Sequence, residues 1–120
     1  MINIKPLILS TLETIPGIAQ VCYSWPEDFG KTPCITYKIE DNSTHTKTEN
    51  IERLSNMRFQ VDIWSKTSSL NSAIAVQVDA KFSEMGFERN FYNDFKDGAL
   101  IHGIMKYKGI VDSEMNYVYQ

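Results

Sequence analysis

The 120-residue sequence predicts a single α+β domain, two helices packed on a mostly antiparallel or mixed sheet, and three observations carry that expectation. The length suits one domain and one core. Two stretches, Leu7 to Ile15 and Leu70 to Met85, place apolar residues at helical intervals of three and four. Between and after them, apolar and polar residues alternate with the period of a strand, most clearly from Met57 to Trp64. A chain of this size buries about two-thirds of the surface its unfolded form exposes, so no staple is required.

In the first helix Leu7, Ile8, Thr11, Leu12 and Ile15 share a face, Pro6 suits the first turn, and Pro16-Gly17 stops it. Ile18 to Trp25 reads as a short strand broken by Pro26 and a polar loop through Thr32. Pro33 opens another, in which Ile35, Tyr37 and Ile39 face a core while Thr36, Lys38 and Glu40 face water. Met57, Phe59, Val61 and Ile63, alternating with Arg58, Gln60, Asp62 and Trp64, form the expected central strand. Capping residues between Ser65 and Ser69 precede the stripe Leu70, Ala73, Ile74, Val78, Phe82 and Met85, which Gly86 ends as a left-handed cap. A strand around Phe87 to Tyr92, a turn at Asp97-Gly98 and a last strand from Leu100 to Val111 complete the order. Gly103 and Gly109 within that last strand suggest bulges or a close backbone approach.

One stretch stands apart. From about residue 41 to 56 the chain is polar, with Ile51 and Leu54 as its sole aliphatics, and it reads as a mobile loop or as an extended hairpin arm. Ordering it costs roughly 1 to 2 kcal/mol per residue in backbone entropy, which two aliphatics cannot offset.

The search for chemistry returns little. Acids outnumber bases 15 to 12, which disfavours a nucleic-acid-binding role. His45 and His102 lack a second histidine or a cysteine at metal-ligand spacing, so no metal and no cofactor is expected. Cys22 and Cys34 lie in strand-like runs and read as reduced core thiols rather than a disulfide. The carboxylates Glu27/Asp28 and Asp94/Asp97 fall in solvated loops, and Asp62 is placed to pair with Arg58 on its own strand face. No phosphate-cradling glycine pattern and no nucleophile elbow occurs, so no catalytic residue is assigned. A nuclease or hydrolase would have to draw Asp62 and His102 together in a cleft. The apolar run Pro6 to Leu12 is too short to span a bilayer, and a cytoplasmic protein with no membrane partner is expected.

Aromatic residues are more informative. Trp25 and Phe29 flank Pro26 in a loop, and Trp64 shares a strand face with Arg58; these five residues are the candidate protein interface, although either tryptophan could instead cap the core.

Several stretches, in their order, carry a resemblance. They are Ile15-Pro16-Gly17-Ile18, Trp25-Pro26, Pro33-Cys34-Ile35-Thr36-Tyr37, Phe59-Gln60-Val61-Asp62-Ile63-Trp64-Ser65, Gly86-Phe87-Glu88-Arg89 and His102-Gly103-Ile104-Met105-Lys106-Tyr107. Together they resemble the tail terminator, or tail completion, proteins of long-tailed bacteriophages and prophages. The resemblance implies an α+β structural protein without catalytic residues that caps the head-proximal end of the tail tube as a ring, often a hexamer. It would end tail growth, form the surface that joins the head, contact the tail tube and head connector proteins, and let DNA pass its lumen without specific binding. Its place would be the virion tail, and the host cytoplasm during assembly. Another small phage neck protein, for head completion or connection, and a monomeric binding domain are the alternatives.

Overall fold

The computed structural model describes residues 1–49, 51–114 and 118–119. The elements run α1 (Lys5–Glu13), β1 (Gln20–Tyr23), β2 (Cys34–Thr48), β3 (Ile51–Ser65), α2 (Ser68–Met85), β4 (Glu88–Asp97), β5 (Leu100–Asp112) and β6 (Val118–Tyr119). The strands form one mixed sheet in the order β1-β2-β3-β5-β4, with β6 added to the end of β5. Among the described residues only β1 and β2 pair in parallel; the other pairings are antiparallel. The α+β class and the central place of the Met57 to Ser65 strand are therefore as the sequence predicts.

Strand alternation sorts the side chains onto two faces. On one face Phe59 pairs with Ile39 and Tyr107, Val61 with Tyr37 and Met105, and Ile63 with Ile35 and Gly103. Ile8 and Leu12 of α1 and Ile74, Val78 and Phe82 of α2 join these residues in a single buried cluster. Phe59 lies at its centre, 5.0 Å from both Phe82 and Phe87 and stacked at 5.4 Å on Tyr107.

The helix boundaries follow local chemistry. Thr67 caps α2 by accepting a hydrogen bond from the Leu70 N–H, and Gly86 closes it at φ 107°, a conformation that favours glycine. The phase set by that cap differs from the expected stripe: Leu70 and Ala73 point outward, while Asn71 and Ala75 are buried. Asn71 fits because Gly103 lies beneath it, where an added Cβ would come within 2.6 Å of the Asn71 Nδ2. Gly103 and Gly109 thus serve close approach, and the bulge in this part of the sheet falls in β4, between Arg89 and Phe91.

The expected mobile loop at 41–56 is corrected. Its described residues continue β2 and β3 as a paired hairpin arm, registered from Asp41 against Arg58 out to Thr48 against Ile51; Asn50 lies outside the described residues. Entropy is offset by the ladder itself and by side-chain anchors. Asn42 Nδ2 donates to the Ile2 carbonyl at 2.6 Å and Ser55 Oγ donates to Asn42 Oδ1 at 2.6 Å. Three register shifts along the arm give it local twist. Two smaller corrections concern strand ends: the first strand is shorter than Ile18 to Trp25, and β4 runs on to Asp97.

Phe59→Ala removes the ring at the centre of the core and leaves a cavity lined by three aromatics. A loss of about 3 to 5 kcal/mol is expected, measured from the chemical denaturation midpoint.

Candidate protein interface

The face of the sheet away from the helices carries the candidate residues. Across it runs a row contributed by four strands, Cys34, Trp64, His102 and Phe95. Trp64 stacks on His102 with ring centroids 3.6 Å apart, and Phe95 lies 5.0 Å from the same imidazole. The loop between β1 and β2 folds onto this row. Trp25 and Phe29 meet Trp64 edge-on at 5.4 and 5.3 Å, and each other at 5.5 Å.

That loop is held from within. Gln20 Nε2 donates to the carbonyls of Asp28 and Lys31, the Gly30 N–H donates to Asp28 Oδ1 at 2.8 Å, and the Ser24 N–H donates to the Tyr37 carbonyl at 2.7 Å. Trp25 nevertheless keeps 59 % of its surface exposed, and Phe29 is also exposed.

Of the five candidate residues, Trp25 and Phe29 are therefore available to a partner. Pro26 is buried, and Trp64, at 2 % exposure, is the floor on which the loop rests. The expectation that Trp64 is exposed fails because a loop rather than a helix covers the second face. Arg58 is exposed on the same face, six residues along β3. Phe91 and Phe95, two exposed aromatics of β4, escaped the sequence reading. Their spacing of four residues within one strand was the available signal, since it places both on one face.

Asp62 does not pair with Arg58. Its Oδ1 accepts from Gln60 Nε2 at 2.7 Å, and its Oδ2 lies 2.8 Å from His102 Nε2; the His102 Nδ1 lies 3.8 Å from Asp97 Oδ2. Register explains this: Trp64 sits directly opposite His102, which brings the neighbouring position of β3 within reach of the imidazole. Gln60, Asp62 and Thr36 are consequently buried rather than solvated, and Trp64 Nε1 donates to Thr36 Oγ1 at 3.4 Å. The two residues that a hydrolase would need thus converge. They do so under stacked rings, with both carboxylate oxygens engaged. No group of three or more His, Cys, Asp or Glu side chains able to hold a metal occurs among the described residues, and none of the described helices is long and apolar enough to cross a membrane.

On the helix side, Asp79 of α2 accepts from the Tyr107 hydroxyl at 2.9 Å and pairs with Arg89 Nε at 3.3 Å. Burial, then the Asp79 carboxylate, pushes the Tyr107 phenol well above its ordinary value. Burial, with Cys22 beside it, likewise pushes the Cys34 thiol from 9.0 up to about 12. Both cysteines are free.

The chain matches no protein-family model, and no curated protein sequence matches it.

Removing the Trp25 ring is expected to change stability by no more than about 1 kcal/mol, whereas Trp64→Ala should cost about 3 to 5 kcal/mol; denaturant titration of both variants separates surface from support. A second expectation concerns alkaline pH. Cys34 and Tyr107 are neutral when protonated, and the fold holds those protons more tightly than the unfolded chain does. Stability is therefore full below about pH 9 and falls as pH rises toward 12, visible as a declining denaturation midpoint that Cys34→Ala should make shallower.

Proposed function

We propose that this chain is a structural protein of a phage tail, a tail terminator that forms a ring on the head-proximal end of the tube and joins it to the head. The observation that carries the reading is the exposed aromatic surface of Trp25, Phe29, Phe91 and Phe95 on the helix-free face. Trp and Phe are the side chains proteins use to anchor to one another. Exposed aromatics on a loop anchored by hydrogen bonds and on β4 of the same face are ready to bind with little ordering cost. The α+β fold agrees with what the resemblance of the sequence motifs implies.

Two further features support a structural role. The molecule is elongated, 52 × 23 × 22 Å, which suits a protomer that must touch two neighbours and the tube. Asp62 and His102 hydrogen-bond to each other beneath the aromatic row, with His102 stacked on Trp64, which supports a structural reading of the pair. An excess of acidic over basic residues is compatible with a lumen that lets DNA pass.

Electron microscopy of a phage lysate lacking this gene tests the proposal. Full heads beside unjoined tails, often of abnormal length, are expected. Normal virions would overturn the reading, and loss of DNA-filled heads would reassign the protein to head completion.

A further inference from the structure

β4 is the outermost strand of the sheet, and among the described residues nothing pairs with its far side. Open edges of this kind recruit another strand, and proteins blunt them by keeping them short or by placing proline in them. This edge is ten residues long and has no proline. In an antiparallel ladder alternate residues turn their N–H and C=O toward the neighbouring strand and away from it. The turn between β4 and β5 closes on the pair Asp97 and Leu100, so Phe91, Asn93 and Phe95 bond to β5, while the backbone of Tyr92, Asp94 and Lys96 faces the open edge.

We propose that the occupant of this edge is β4 of a second copy of the chain, antiparallel about a two-fold axis through Asn93, giving one sheet continuous across both copies. The stretch Phe91-Tyr92-Asn93-Asp94-Phe95 is complementary to its own reverse. In that register Asn93 falls opposite itself, Tyr92 opposite Asp94 and Phe91 opposite Phe95. Phe91 and Phe95, 44 % and 43 % exposed on the helix-free face, then cover each other at non-hydrogen-bonded positions, where cross-strand side chains come closest. Tyr92 and Asp94 already bond along the strand, hydroxyl to carboxylate at 3.0 Å, and the pairing offers each a second partner of the same chemistry. Neighbouring registers are worse. An axis through Asp94 sets two carboxylates directly opposite, and one through Tyr92 runs the pairing into the bulge between Arg89 and Phe91.

The helix side of the sheet supplies an independent observation. A two-fold axis that joins antiparallel edges stands perpendicular to the sheet, so both copies of α2 fall on one side of it and face each other across the seam. Val76, 70 % exposed, sits on that flank of α2, edging the cleft between α2 and β4 beside Ala75 and Tyr92. A helix packed by one side should be polar there. One operation thus covers a bare edge, two phenylalanines and an exposed valine. Such a contact is isologous and complete at two copies, so it is not a ring contact and does not depend on the tail reading.

Sedimentation and disulfide trapping of the full chain test the pairing. The unaltered protein is expected to sediment as a dimer, and Asp94→Pro, which removes an outward N–H and no bond to β5, as a monomer with unchanged circular dichroism. For trapping, Cys22→Ser is the background and the buried Cys34 stays in place. Only the residue on the axis meets its own copy, so Asn93→Cys should form a covalent dimer at least about tenfold faster than Phe95→Cys, whose copies are out of register. An unaltered chain that stays monomeric at its highest soluble concentration overturns the pairing, and a dimer that survives Asp94→Pro overturns the edge as its seat. Equal trapping rates at the two positions overturn the register. Dimers beside normal virions in the lysate experiment would sustain the pairing and refute the tail role; monomers beside unjoined tails would do the reverse.

Discussion

The structure depends on β3 being held in one register with both of its faces covered. It pairs with β2 on one side and β5 on the other, and its residues from Phe59 to Ser65 are buried without exception. A slip of one position would exchange the two faces, driving Gln60 and Asp62 into the aromatic core and Phe59 beneath the polar loop. The penalty would fall on both faces at once, from unpaired polar groups on one and lost burial on the other. Two details fix the choice. Gly103 opposite Ile63 leaves the space that Asn71 fills, and His102 opposite Trp64 supplies the stacked partner that the indole needs.

The two faces are stabilised by different chemistry. The helix side is a packed cluster of aliphatic and aromatic side chains, at whose margin the hydroxyls of Tyr107 and Tyr92 reach the carboxylates of Asp79 and Asp94. The other side is a connected polar row: Gln60 to Asp62, Asp62 to His102, His102 stacked on Trp64, and Trp64 to Thr36. In such a row each group satisfies the next, and the low dielectric beneath the rings strengthens every link while making a broken one costly. The row's product is mechanical: it gives Trp25 and Phe29 a rigid floor, so that a ten-residue excursion of chain between β1 and β2 presents two rings in a defined place.

Most of the fold could be read from periodicity, because Met57 to Ile63, Ile74 to Phe82 and Leu100 to Val111 each repeat at the interval of their element. What escaped reading had a different cause in each case. The arm beyond Glu40 is built of two strands whose side chains are mostly polar whether half-buried or exposed, so it carries no apolar alternation, and its pairing is set by the backbone ladder and by Asn42 and the buried Ser55. The second face of β3 looked solvated because Gln60 and Asp62 are polar by type; only the register with β5 reveals His102 as the partner that lets them be buried. Trp25 and Phe29 were legible as candidates and remain so. Trp64 was misread with them, since nothing in the sequence tells that their loop folds back onto it. The exposure of Leu70 and Ala73 was hidden for a similar reason: an apolar helical stripe looks like core until the cap at Thr67 fixes which residues turn inward.

Exposed apolar side chains lie on both faces of this small molecule, Trp25 and Phe29 on one and Leu70 and Val76 on the other, and a protomer of the proposed ring must manage them. If each heterologous contact were strong by itself, copies would polymerise into open filaments wherever the rotation failed to close. A ring built from individually weak contacts would avoid this. Closure changes the balance, because the last copy to enter a ring makes two contacts at once and the second is intramolecular, favoured by its effective concentration. A templating surface such as the end of a tube would raise that concentration further. Charge is sparse on the outer face of α2 from Ser68 to Ala80, where the half-exposed Asp79 is held by Arg89, while Glu27 and Asp28 stand exposed on the opposite face of the sheet, where charge can orient an encounter without adding much to its strength.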